Sequence, residues 1–228
     1  MIIGVTPARG GSKGIPNKNL TLVNNKPLIA HAIHCGIQSK CIDHHIVSTD
    51  SHKIAETAIE YGADVPFIRP SELAGDDSPM LSVLQHAIYE SEKFYGEKVE
   101  ALVLIDPTAP LRIVKDIENA FALFSEGNYD AVISANSAKK NPYFNMVMKR
   151  GKGMKLVCEL KKEVSCRQDA PEVFELNTVV WIYSRRALMV EKKRIPSKSE
   201  IYIVPEDRSI DIDTAYDLKL LNHLIAHE

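Results

Sequence analysis

Short apolar runs and amphipathic stretches alternate along most of this chain. Residues 2–5 are an apolar run of the length of a buried strand. In residues 27–39, Leu28, Ala32, Ile33 and Gly36 recur at helical spacing, and Pro27 suits a first helical turn. Asn24-Asn25, just before, is a turn signal. Residues 45–50 read as a strand that ends in polar Ser48, Thr49 and Asp50. Residues 51–61 read as a helix with Ile54, Ala55, Ala58 and Ile59 on its apolar face, and Gly62 stands where a C-cap glycine belongs. A short strand is expected at 65–68, and a helix from Ser78-Pro79 to about Tyr95. The continuous apolar run 101–105 is the pattern of a central strand in a parallel sheet. A helix at 114–125 and a buried strand at 131–135 continue the alternation.

The pattern implies an α/β fold, a doubly wound, mostly parallel sheet that holds ligands at the carboxyl ends of its strands. The polar loops 6–19, 48–51 and 106–112 all fall on that edge. Residues 138–172 break the rhythm with charged pairs and with two apolar stretches, 143–148 and 154–160, placed around Gly151 and Gly153. They predict a hairpin that leaves the main sheet. An isolated two-stranded hairpin is marginal in water, which favours a partner. Strands are expected again at 177–183 and 201–204. A closing helix at 215–227 carries Leu218, Leu221, Leu224 and Ile225 on its apolar face. The expected organisation is one domain over 1–228 with an inserted arm at about 138–172.

Composition narrows the function. The 228 residues suffice for one substantial core. A net charge of −2 argues against broad nucleic-acid binding. No apolar run approaches a membrane span, and the first run is too short for a signal peptide. The four cysteines, Cys35, Cys41, Cys158 and Cys166, form no C-x-x-C pair, so neither a zinc site nor a disulfide framework is expected and a reducing cytoplasm fits.

The candidate chemistry begins directly after the first strand, in Ala8-Arg9-Gly10-Gly11-Ser12-Lys13-Gly14-Ile15-Pro16-Asn17-Lys18-Asn19. Glycines let backbone N–H groups approach a ligand, and Arg9, Lys13 and Lys18 add charge-assisted hydrogen bonds. The loop is suited to a polyphosphate, yet it is neither a G-x-x-x-x-G-K-[ST] loop nor a G-x-G-x-x-G loop. Near the other end, Asp211 and Asp213 alternate with Ile210 and Ile212. In an extended segment both carboxylates face one way, and two hard oxygen ligands suit Mg²⁺ or Mn²⁺ with phosphate oxygens completing the shell. A helix cap by Asp213 accounts for one of these carboxylates, not the pair. His31 and His34 lie three apart on a helix with no acidic or cysteine partner near in sequence, and a plain helix face is the preferred reading.

The loop from Ala8 to Asn19 resembles the signature loop of the acylneuraminate cytidylyltransferases, and the resemblance covers most of the chain. Arg69-Pro70-Ser71-Glu72-Leu73-Ala74 with Asp76, Pro107-Thr108-Ala109-Pro110-Leu111-Arg112, Arg167-Gln168, Phe174 leading to Asn177, and Ser209-Ile210-Asp211-Ile212-Asp213-Thr214 are similar to further segments of that family. The resemblance implies a nucleotide-diphospho-sugar transferase-like, Rossmann-like fold whose inserted arm is a dimerisation arm reaching the partner's site, hence a homodimer. It implies CTP held by Ala8, Arg9, Gly10, Gly11, Ser12, Lys13, Asn19, Arg69, Asp76, Pro107 and Thr108. A sugar would lie near Asp106, Arg112, Arg167, Gln168, Glu175 and Asn177. Asp211 and Asp213 would hold the metal, and Arg9, Lys13, Lys18 and Asp211 would serve catalysis. The reaction implied is attack of a sugar hydroxyl on the α-phosphorus of CTP, with pyrophosphate leaving.

Two positions depart from that pattern. The family's sialic acid enzymes lead one to expect glutamine at Asp106 and a carboxylate-reading arginine at Glu175. These carboxylates can accept hydrogen bonds from sugar hydroxyls but cannot grip an ionised acid. N-acetylneuraminate is therefore expected to be a poor substrate, unless Arg112 or Arg167 supplies the missing cation. A nucleotidylyltransferase for a sugar 1-phosphate, or a silent nucleotide-binding regulator on the same fold, remain as alternatives.

Overall fold

A computed structural model describes residues 1–12, 14–161 and 165–225. The chain opens with β1 (Ile2–Pro7), and the loop after it leads to a small hairpin, β2 (Leu22–Val23) and β3 (Lys26–Pro27). Asn24 and Asn25 have φ of 48° and 60°, the left-handed conformation that a two-residue hairpin turn requires. Pro27 precedes α1 (Leu28–Gln38) instead of opening it, because it is still paired in β3. β4 (His44–Ser48) and α2 (His52–Glu60) follow, and the Ser51 hydroxyl caps α2 by accepting from the Ile54 N–H.

The strand expected at 65–68 is reduced to isolated bridges, Ile46 to Asp64 and Thr49 to Ile68. Pro66 lacks an N–H and cannot continue a ladder between them. The chain goes on through α3 (Met80–Tyr95), β5 (Ala101–Leu104), α4 (Val114–Gly127) and β6 (Ala131–Ser137). The inserted hairpin is β7 (Val147–Arg150) and β8 (Gly153–Leu156), shorter than expected and forming its own two-stranded sheet. β9 (Phe174–Ser184), β10 (Ser199–Ile203) and α5 (Ala215–Ile225) complete the fold, and the end of the predicted last helix, 226–227, lies outside the described residues.

The main sheet has the order β10-β6-β9-β5-β1-β4. All strands run parallel except β9, which lies antiparallel between β5 and β6. Side chains alternate across it as the pleat dictates. Ile3, Val5, Leu102, Leu104, Trp181 and Tyr183 pack on one face against Leu84, Ala87 and Ile88 of α3. Val103, Val132, Val180 and Ile182 pack on the other against Ala32 and Cys35 of α1 and Ile117 and Ala120 of α4. Each fully buried Leu or Ile stabilises the fold by about 1.5–3 kcal/mol relative to exposure, which fits the unbroken apolar runs 101–105 and 179–183. Covering both faces leaves the carboxyl edge of the sheet as the open side, where the loops after β1, β4 and β5 converge. No helix among the described residues is long and apolar enough to cross a membrane.

Candidate active site

A cavity of about 420 Å³ opens at that edge. The loop after β1 forms one wall and is tied down at several points. The Ala8 N–H donates to the Ser48 carbonyl at 2.9 Å. The Gly10 N–H donates to Asp50 Oδ1 at 2.8 Å, and Asn19 Nδ2 donates to the Arg9 carbonyl at 3.0 Å. Gly14 is needed for close approach: a Cβ there would run into the Asp213 carbonyl oxygen.

Lys18 joins this loop to the carboxylate pair from the far end of the chain. Its Nζ donates to the Ile212 carbonyl at 2.8 Å and to Asp213 Oδ1 at 3.0 Å. Asp211 and Asp213 both line the cavity, while Ile212 is fully buried behind them with Ile15, Val23, Leu28 and Leu221. The Ile212 N–H donates to the Thr108 carbonyl at 2.9 Å, which fixes the pair against the loop after β5. There the Thr108 N–H and hydroxyl donate to Asp106 Oδ1 at 3.1 and 3.0 Å.

The carboxylates are electrostatically loaded. Burial pushes Asp211 above the usual carboxylate range, Asp213 and Asp106 add to the push, and Thr108 and Lys18 oppose it. Asp106 is raised by burial as well, against the Thr108 hydrogen bonds and the charges of Arg112 and Lys18. Asp211 Oδ1 is buried without a hydrogen-bond partner among the described residues. A bare oxygen with excess negative charge around it fits a hard cation. No set of three or more His, Cys, Asp or Glu ligands exists among the described residues, so a bound ion would take its remaining ligands from water and phosphate.

Of the positions singled out in the sequence, Arg9, Ser12, Lys18 and Asn19 line this cavity from the β1 side. Arg69 lines it from the segment after α2, and Asp106, Pro107 and Thr108 from the end of β5. Arg69 is buried, and burial pulls it down to about 10. It is held by donating from Nε to Ser48 Oγ at 3.1 Å and by a contact with the Ser48 carbonyl. Arg9 pairs with Asp76 Oδ1 at 2.7 Å, so Asp76 orients a cation and does not itself line the cavity. Ala8, Gly10 and Gly11 shape the loop without lining the cavity, and Lys13 lies outside the described residues.

The positions assigned to the sugar fare differently. Arg112 is buried behind the site. Its guanidinium is committed to the carbonyls of Val179, Asp106 (2.7 Å) and Thr178 (3.0 Å), so it is a brace between β5 and β9 and not a sugar contact. Asn177 is also structural: its Nδ2 donates to Asn136 Oδ1 at 2.7 Å and its Oδ1 accepts from the Val179 N–H at 3.1 Å. Arg167, Gln168 and Glu175 are exposed, and none lines either cavity of the single chain. Of this group, Asp106 lines the cavity.

What the sequence reading missed is a second cavity, about 450 Å³, that meets the first at Met80, Asp106 and Thr178. Its walls are mainly apolar side chains of α3, β5 and β9, among them Leu84, Leu104 and Trp181. Trp181, the chain's single tryptophan, set inside an apolar strand, was the available signal.

A glycine-rich basic loop facing two carboxylates across a cleft, on an α/β sheet edge, defines a nucleotidyltransferase. A family profile described as Cytidylyltransferase matches residues 3–215, and the chain belongs to that family. The chain is 34% identical over 96% of its length to a post-translational flagellin modification protein B of Campylobacter coli, covering 92% of that protein. It is 35% identical, over 96% of its length and 92% of the relative's, to a CMP-N,N'-diacetyllegionaminic acid synthase of Campylobacter jejuni. N-acylneuraminate cytidylyltransferases are among the further relatives, in line with the resemblance of the motifs. The fold is that of a CMP:2-keto-3-deoxy-manno-octonic acid synthetase solved with CTP. The two superpose with a TM-score of 0.70 at 14% identity, over 99% of this chain and 98% of the other.

Proposed function

We infer that the protein is a cytidylyltransferase that couples CTP to a nonulosonic, sialic-acid-like sugar, releasing pyrophosphate and a CMP-sugar. The observation that carries this reading is the Lys18 bridge, which holds the basic loop against Asp213 across one cavity while Asp106 opens onto a second. The triphosphate would lie along the loop with Arg9, Ser12, Lys18 and Arg69, and Lys13 belongs to the same basic set. Asp211 and Asp213 would hold Mg²⁺ or Mn²⁺, which when bound neutralises charge on the phosphoryl groups. The protein's own work is positioning and charge compensation.

The sugar hydroxyl attacks the α-phosphorus, a new oxygen–phosphorus bond forms, and the bond to pyrophosphate breaks. Asp106, at the junction of the cavities and with a carboxyl raised by burial, is placed to accept the hydroxyl proton. The second cavity gives the acceptor its place. Relatives named for a diacetylated acid, together with apolar walls, favour an acceptor richer in acyl groups than N-acetylneuraminate.

The active form is a homodimer joined through residues 138–172, supported by exposed Val147, Met148 and Met154 on a hairpin too small to be stable alone. Arg167, Gln168 and Glu175 would then face the partner's site. A cytoplasmic setting is supported by cysteines that are all free. The test is pyrophosphate release with a panel of triphosphates and sugars. CTP with a nonulosonic acid should exceed every other pair, and preference for a sugar 1-phosphate or for GTP would overturn the assignment.

A further inference from the structure

The second cavity has a direction. It begins at Asp106 and Thr178, shared with the phosphate cavity, and runs along β9 to Trp181 and Tyr183. The five steps of extended strand from Thr178 to Tyr183 span about 16 Å, so the far end lies well away from the reacting hydroxyl. Its volume of about 450 Å³ is in the range of small-molecule sites. Along the walls, Leu84, Leu104 and Leu188 offer no hydrogen bond. Trp181 Nε1 is committed to the Asn177 carbonyl at 2.6 Å, and the Tyr183 hydroxyl to the Arg194 carbonyl at 2.8 Å.

Arg194 is different. Its guanidinium stacks over the Trp181 ring at 4.9 Å and lines the cavity, with no ion pair or side-chain hydrogen bond among the described residues. An exposed guanidinium held on an aromatic face is a preset donor fork beside the apolar walls, away from Asp106 and Thr178. Against the walls of Leu84, Leu104 and Leu188 a hydroxyl-rich chain would lose its water without finding partners, and at the fork a hydroxyl could accept but not donate. An ammonium would meet a like charge.

We infer that Arg194 is a specificity-determining residue for the acceptor: it selects sugars bearing an acylamino group on the end remote from the reacting hydroxyl. The acyl carbonyl accepts from the guanidinium, and the acyl methyl packs on Leu84 and Leu188. This rests on the proposed function above.

The experiment measures kcat/KM by pyrophosphate release with CTP in excess. The acceptors are otherwise identical nonulosonic acids carrying acylamino, free amino or hydroxyl groups at the remote carbons. Wild type, Arg194→Ala and Arg194→Lys are compared. Wild type should favour the acylamino sugar over both others by at least about tenfold, the scale of one hydrogen bond to a charged group. Arg194→Ala should shrink that ratio by about tenfold, chiefly through the acceptor KM, with the KM for CTP unchanged. Arg194→Lys, which keeps the charge but not the fork, should restore part of the ratio. An unchanged ratio in an active Arg194→Ala enzyme, or a wild-type preference for the amine or hydroxyl, overturns the inference alone. Absence of CTP-dependent pyrophosphate with every acceptor overturns the functional reading and this inference with it.

Discussion

At the scale of single residues, Lys18 holds the site together. One ammonium group contacts a backbone carbonyl and a carboxylate of a segment nearly two hundred positions away, while facing the cavity. Lys18→Ala should lower kcat/KM for CTP by at least about tenfold, the scale of one charged contact to a phosphate in the transition state. Steady-state kinetics with CTP varied will show it, and unchanged values would remove Lys18 from the site. Asp211 makes a separate case, because its Oδ1 has no protein partner to lose. Activity should vanish on chelation and return with Mg²⁺ or Mn²⁺. Asp211→Asn should need about tenfold more metal for half-maximal rate, since a hard cation loses a charged ligand. A mutant fully active at low Mg²⁺ would refute the metal assignment.

At the scale of elements, the site is made by where loops leave the sheet. β1, β4 and β5 are parallel neighbours, so their carboxyl ends deliver the basic loop, Asp50 and Asp106 to one edge. β9 enters against the grain, and its length serves both cavities: Thr178 at the rim, Trp181 and Tyr183 along the channel. The hairpin of β7 and β8 touches none of this, and its Val147 and Met154 side chains are left to solvent in the single chain. Replacing them as Val147→Lys and Met154→Asp should raise the dimer dissociation constant at least about tenfold, as expected when two apolar side chains leave an interface core. Sedimentation at assay concentration measures this. A wild-type monomer that is fully active would end the dimer proposal.

At the scale of the whole molecule, stability should depend on one buried imidazole. His45 sits between β1 and α1, where a Cβ on Gly4 or Gly36 would strike its ring. Thr6 Oγ1 donates to the Ile105 carbonyl at 2.9 Å, so it accepts from His45 Nε2 at 3.1 Å, and Nδ1 is left without a partner. The ring is therefore neutral, and burial, helped by Arg112, lowers its pKa to about 3. The unfolded chain takes up this proton near pH 6.5 and the folded chain does not, so stability is full above that value and falls as pH drops toward about 3. The loss should approach about 1.4 kcal/mol per pH unit, with His31 and His86, also lowered by burial, adding to it with the same sign. Urea midpoints between pH 7.5 and 4.5 will show the slope. His45→Gln should flatten it, and equal slopes in the two proteins would contradict the account.

Much of this was legible in residue order alone. The alternation of apolar runs with helical spacing set the α/β class, because period and run length report burial locally. The glycines and cations after the first strand, and the Asp-Ile-Asp alternation, pointed to residues that line one cavity, because each is a property of a few consecutive residues. The direction of β9 was not legible, since an apolar run reads the same for either orientation. Nor was the fate of Arg112, whose guanidinium is claimed by carbonyls that only the folded sheet brings near. The channel from Asp106 to Arg194 belongs wholly to the tertiary structure. Its walls come from α3, β5 and β9, and a cavity is defined by the space that distant segments leave between them.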